Sequence, residues 1–180
     1  MTLSTLCILL GLGFAAPHAY GLAQPAAFRE KLRAFPRNTA LGYVLMVIAT
    51  VWFLLHVRDE NIADFSAFKP VMYVGFGALG LGACLYLKDF LAVRGLALVL
   101  LLLAKFVVDT QRWHPSQWRW VLGGWAYTWV IAGICFTVWP WWCRDLLAWE
   151  TQSDGRLKFI CALRLALGVF VAALGVTVFR

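Results

Sequence analysis

The sequence predicts an all-α fold, a polytopic transmembrane helical bundle of six spans. Its composition is the first sign: 62% of the 180 residues are hydrophobic and 14% charged, where a soluble domain carries about 25% charged residues. The second is the recurrence of apolar runs of about 20 residues, the length a helix needs to cross a bilayer. The third is a tryptophan frame. Trp118-Arg119-Trp120 and Trp139-Pro140-Trp141-Trp142 bracket a stretch free of Asp, Glu, Lys and Arg. At the helical rise, Trp120 and Trp141 stand about 31 Å apart, the depth of the hydrocarbon core. Tryptophan favours both interfaces, where an apolar ring carries a wetted N–H. One integral membrane domain is expected over residues 1–180, since no polar stretch is longer than a loop.

The first span covers about 2–24. Pro17-His18-Ala19-Tyr20 interrupts its apolar run, and Gly21-Leu22-Ala23 before Gln24 resembles a signal-peptidase site. Cleavage there would leave five spans. The basic cluster Arg29, Lys31, Arg33 and Arg37 lies after the run rather than before it, which favours a retained helix with an external N-terminus. Phe28, Leu32 and Phe35 recur at helical spacing between these cations, a pattern for a short helix in the headgroup region. A plain basic loop fits nearly as well.

The second span, about 39–57, ends near His56. The acidic loop from Arg58 to Asp64 follows. The third span, about 70–87, starts at Pro70, where a missing N–H does no harm. Gly75, Ala78 and Gly82 share one of its faces, and Gly77, Gly80 and Cys84 another. Small residues let helices approach closely in lipid, so this helix is expected to be central, with neighbours on two sides. The fourth span, about 90–108, holds an unbroken Leu, Ala and Val run from Leu96 to Ala104 and is expected to face lipid. In the fifth, about 120–141, Trp118, Leu122, Trp125 and Trp129 fill space on one side. Gly124, Thr128, Ala132 and Cys135 offer a small-residue side to a neighbour. Residues 143–158 read as a cytoplasmic segment, with Leu146, Leu147 and Trp149 able to lie flat on the interface. The last span, about 159–179, carries a small-residue face of Gly168, Ala172 and Gly175.

With both termini outside, ten of the sixteen Lys and Arg residues fall inside and six outside, the expected bias for that orientation. The short turns suit a bacterial inner membrane. The net charge of +7 reads as topology signal and anionic-lipid contact rather than nucleic-acid binding.

Charges within or beside spans are the candidate functional residues, because an intramembrane ionisable group is costly and usually paired or functional. Arg94, Lys105 and Asp109 share a face of the fourth span, and Lys105 can pair with Asp109 one turn on. Arg164 lies one turn before Gly168, on a protein-facing side. Asp89 and Asp145 are anions positioned to meet Arg94 or Arg164. Together these residues outline a cationic pocket near the inner interface for an anionic headgroup or a partner's carboxylate; snorkelling and structural ion pairing compete with it.

His56 and His114 are weak metal candidates with Asp59, Glu60, Asp64 and Asp109, but their spacing fixes no geometry. Bis-histidine haem needs two inward histidines at matched depth, and the spacing of His18, His56 and His114 does not offer them. No cofactor is expected. The cysteines Cys7, Cys84, Cys135, Cys143 and Cys161 form no CxxC. No GxSxG, Walker A or dinucleotide loop is present. The leading expectation is a structural or accessory subunit packing against other membrane proteins or lipids. The alternative is a membrane enzyme or carrier for a lipid-like or anionic small molecule.

Overall fold

The computed structural model describes residues 2–61 and 63–179, without the side chains of residues 63–65. Met1, Ile62 and Arg180, and the Asp64 carboxyl group considered for metal binding, lie outside the described residues. Among those described the fold is all-α: α1 (Leu3–Ala23), α2 (Pro25–Ala34), α3 (Thr39–Asp59), α4 (Lys69–Tyr86), α5 (Leu91–Gln111), α6 (Arg119–Val138), α7 (Pro140–Glu150) and α8 (Asp154–Thr177). Short 3-10 turns occupy Phe35–Arg37 and Ala63–Phe68. Six segments are long and apolar enough to cross a membrane: α1, α3, Ser66–Tyr86, α5, α6 and α8.

Helix starts follow local chemistry. Thr2, Asn38 and Ser153 stand at the N-caps of α1, α3 and α8, each side chain accepting a backbone N–H three residues on. The tryptophan-framed helix is shorter than expected. It stops at Val138, and Pro140 opens α7, because proline disfavours helical geometry in the residue before it and has no N–H to continue the ladder. Trp139 and Trp142 stack at that break, 4.9 Å apart. The segment 143–158 is helical, apart from the short reversal between α7 and α8.

The chain divides into two compact units. The first comprises 1–34, 103–130 and 144–180. Its centre is the α1–α8 pair. A Cβ added to Gly11 would sit 2.5 Å from the Ala172 nitrogen and the Gly168 oxygen, and one on Gly168 would sit 2.7 Å from the Gly11 oxygen. Glycine is required at both, because the opposing backbone has no room to move. Gly175 lies against Cys7 and Ile8, and the Ser4 hydroxyl donates to the Gly175 carbonyl at 2.7 Å. The expected small-residue face of the last span is therefore filled, by α1. α2 is the expected amphipathic helix, and its buried Phe28 packs on Leu157 and Cys161 of α8.

The second unit comprises 35–102 and 131–143. Gly42 meets Leu91 and Ala92, Gly95 meets Leu45 and Met46, and Gly133 meets Ala97 and Leu101. Met46, Cys84 and Leu91 form its buried cluster.

Two expectations reverse here. α4, the glycine-rich helix, is the least buried of the six candidate spans, and leucine-rich α5 is the most buried. Among the described residues, only Gly80 of α4 has a close neighbour, Thr50 of α3; Gly75, Gly77 and Gly82 meet none. In lipid, exposing leucine costs nothing, so side-chain bulk does not say which helix is outside. Partners decide instead: Gly42, Gly95 and Gly133 all close on α5 or belong to it. The small side of α6 is likewise open at Gly124 and Thr128, while its Leu122, Trp125, Ala126 and Trp129 are buried.

Candidate functional site

The most deeply buried charge described is Glu150, with 3% of its side chain exposed. Helical spacing puts it there. Leu147, Glu150 and Thr151 lie three and four positions apart and turn inward, while Leu146 and Trp149 turn outward. Its partner Arg164 is ten residues into α8, about 15 Å from the helix start. Helical side chains lean toward their own N-terminus, so Arg164 reaches back to the end of α7. Its Nη1 donates to Glu150 Oε2 at 3.0 Å and its Nη2 donates to Oε1, the bidentate fork that guanidinium and carboxylate favour. About a third of the Arg164 side chain stays exposed. The acid is dry; the cation keeps contact with the outside.

His18 of α1 lies in the electrostatic field of both groups. It follows Pro17, yet α1 continues through both residues. The His18 Nδ1 donates to the Phe14 carbonyl at 2.7 Å. A carbonyl only accepts, so the Nδ1 proton is fixed and the neutral ring keeps its lone pair on Nε2. The histidine stands in a file of rings, Trp129, Trp125, Phe14, His18, Phe28 and Tyr20, whose successive centroids lie 4.6 to 6.3 Å apart.

Further ties hold α2 to the α7–α8 turn. Arg29 pairs with Asp154. Arg33 donates from Nε to the Thr151 hydroxyl at 3.0 Å and from Nη2 to the Thr151 carbonyl at 2.9 Å. Thr151 in turn donates to the Leu147 carbonyl. A guanidinium gives up no proton, and both Glu150 oxygens are engaged. The constellation is thus a lock between helix ends rather than an acid–base couple.

The residues singled out from sequence are distributed as follows. Lys105 and Asp109 meet at 2.7 Å, both roughly half-exposed. Arg164 meets Glu150, not Asp89 or Asp145. Asp145 pairs with its neighbour Arg144 at 2.8 Å, the shorter reach for an exposed side chain. Asp89 is exposed and makes no ion pair among the described residues. Arg94 is half-buried, and its Nε is buried without a partner among the described residues. His56 lies in the last turn of α3, stacked on Trp52, with its Nε2 buried and without a partner among the described residues. His114 accepts the Ser116 N–H at Nδ1 and packs edge-on against Phe179. Among the described residues no three His, Cys, Asp or Glu side chains converge as a metal site.

Sequence reasoning missed Glu150. It sits in a segment that reads as cytoplasmic and interfacial, and only the helical run of α7 from Pro140 to Glu150 sets which way it points. The available signal was the period that sends Leu146 and Trp149 outward.

No protein-family model, curated protein or solved structure matches this chain.

Proposed function

We propose that this chain is a non-catalytic accessory subunit of a membrane assembly, and that the open faces of α4 and α6 dock a partner's helices. One observation carries the reading. Gly75, Gly77, Gly82 and Gly124 lie within helices and, among the described residues, meet nothing within 4 Å of an added Cβ. A helix-interior glycine costs about 1 kcal/mol relative to alanine, and lipid returns none of it. A closely packed helix does. The ion pairs Arg164–Glu150 and Lys105–Asp109 also support the reading, since two of the three cations considered for ligand binding are already matched by the chain's own carboxylates. The ten-to-six distribution of basic residues supports external termini in a bacterial inner membrane.

Purification in mild detergent tests the proposal. A membrane protein is expected to co-purify in fixed ratio, and to be lost from Gly75→Leu and Gly124→Leu variants that keep their helicity. A stable lone monomer overturns it. The second reading, an enzyme or carrier for an anionic or lipid-like molecule, draws on Arg94, whose unpaired buried Nε could donate to a ligand. Arg94→Gln would then abolish ligand uptake.

A further inference from the structure

We propose that Arg33 and Arg156, which both clamp the α7–α8 turn, form a headgroup site for an anionic phospholipid, with Trp149 as its apolar wall. The inference rests on the chain being a membrane protein, not on the accessory role.

Charge balance makes the first argument. Arg29, Arg144 and Arg164 each meet a carboxylate. Arg33 and Arg156 are held as firmly, but by neutral groups. Arg33 spends Nε and Nη2 on Thr151. Arg156 donates from Nη1 to the Trp149 carbonyl at 3.0 Å and to Gln152 Oε1 at 2.7 Å, and its guanidinium lies 4.6 Å from the centre of the Trp149 ring. Each therefore keeps a full positive charge in a fixed place. Nη1 of Arg33 and Nη2 of Arg156 have no protein acceptor among the described residues. Both guanidinium groups are anchored to one turn, Arg33 through Thr151 and Arg156 through Trp149 and Gln152, and a spare donor on each suits a phosphate oxygen.

The neighbourhood then selects the form in which the phosphate arrives. Leu146, Trp149 and Phe159 are 44%, 53% and 69% exposed. Inward at the end of α7 are Glu150 and, just beyond it, Thr151, at 2% and 0%. A short helix with its acid inside and its tryptophan outside suits contact with lipid, not water. An anion carried on acyl chains satisfies both the cations and this apolar wall; a free phosphate satisfies only the cations.

The full chain in neutral detergent, doped with phosphatidylglycerol or phosphatidylcholine, provides the test by native mass spectrometry. The wild type is expected to retain phosphatidylglycerol about 25-fold over phosphatidylcholine, and R33Q/R156Q to lose about fivefold for each arginine replaced. Equal retention of both lipids by the wild type overturns the proposal, as does an unchanged preference in R33Q/R156Q of native helicity. Should that variant lose helicity, Trp149→Ala decides: retention falls, or the proposal is overturned. Displacement of the lipid by an equimolar amount of inorganic phosphate overturns the lipid assignment. Because the readout is lipid, absence of a protein partner does not bear on it.

Discussion

Arg164 and Glu150, fourteen residues apart, close the end of α7 onto α8 through two parallel N–H···O bonds, with the carboxylate almost wholly withdrawn from solvent. Breaking a buried pair leaves an uncompensated charge, while replacing both partners by apolar groups is often neutral or stabilising. Arg164→Leu is therefore expected to lose about 3 kcal/mol, near the lower end of that range because Arg164 is partly exposed. The double variant E150L/R164L should recover most of the loss. Equilibrium unfolding in mixed micelles measures both, and equal losses in single and double variants would refute the account.

The Lys105–Asp109 pair is the contrasting case. It is a one-turn contact between half-exposed side chains, a geometry that contributes about 0.2–0.5 kcal/mol. Asp109→Asn should shift the unfolding midpoint barely beyond error. A loss comparable to that of Arg164→Leu would mean that Asp109 performs a task not visible in its contacts.

Glycines separate into two kinds. At Gly168 an added Cβ would meet the Gly11 oxygen at 2.7 Å and the Ala15 nitrogen at 2.9 Å. These are backbone atoms, so Gly168→Val must force α1 and α8 apart, at a cost of about 2 kcal/mol or more. At Gly75 nothing lies within 4 Å. Gly75→Ala should stabilise the isolated chain by about 0.5–1 kcal/mol. Thermal unfolding followed by tryptophan fluorescence distinguishes the two; opposite signs are required.

Gln111 is buried at the end of α5, and its Oε1 has no partner among the described residues. Its amide lies where a side chain on Gly123 would otherwise be. An unsatisfied buried acceptor costs about 1–3 kcal/mol, so Gln111→Met, close in volume and apolar, should raise stability. A fall would reveal a bound water or ligand donor at that oxygen.

Much of this was legible before any coordinates. The spans starting near residues 39, 70 and 120 are set by local signals, among them Pro70 at a first turn and the tryptophans that frame the fifth span. The face Gly168, Ala172 and Gly175 was visible as a docking surface, since small residues at helical spacing have one obvious use in lipid. Lys105 and Asp109 are one turn apart, and that spacing alone suffices to bring them together. Glu150 was not legible: its partner is three turns up another helix, and no local spacing names it. The roles of α4 and α5 were read in reverse, because Gly75 and Leu98 carry no mark of which helix will lie beside them.

Sequence alone determined the solvent of this protein, its helical period and most of its helix ends, because hydropathy, capping and proline act within a few residues. Tertiary structure alone decided which glycines are filled, that α1 packs along α8, and that Arg164 finds Glu150. Inside a bilayer, hydrophobicity does not rank one apolar face above another. The arrangement is chosen by close packing and by the pairing of the few charges, and both are properties of two segments at once.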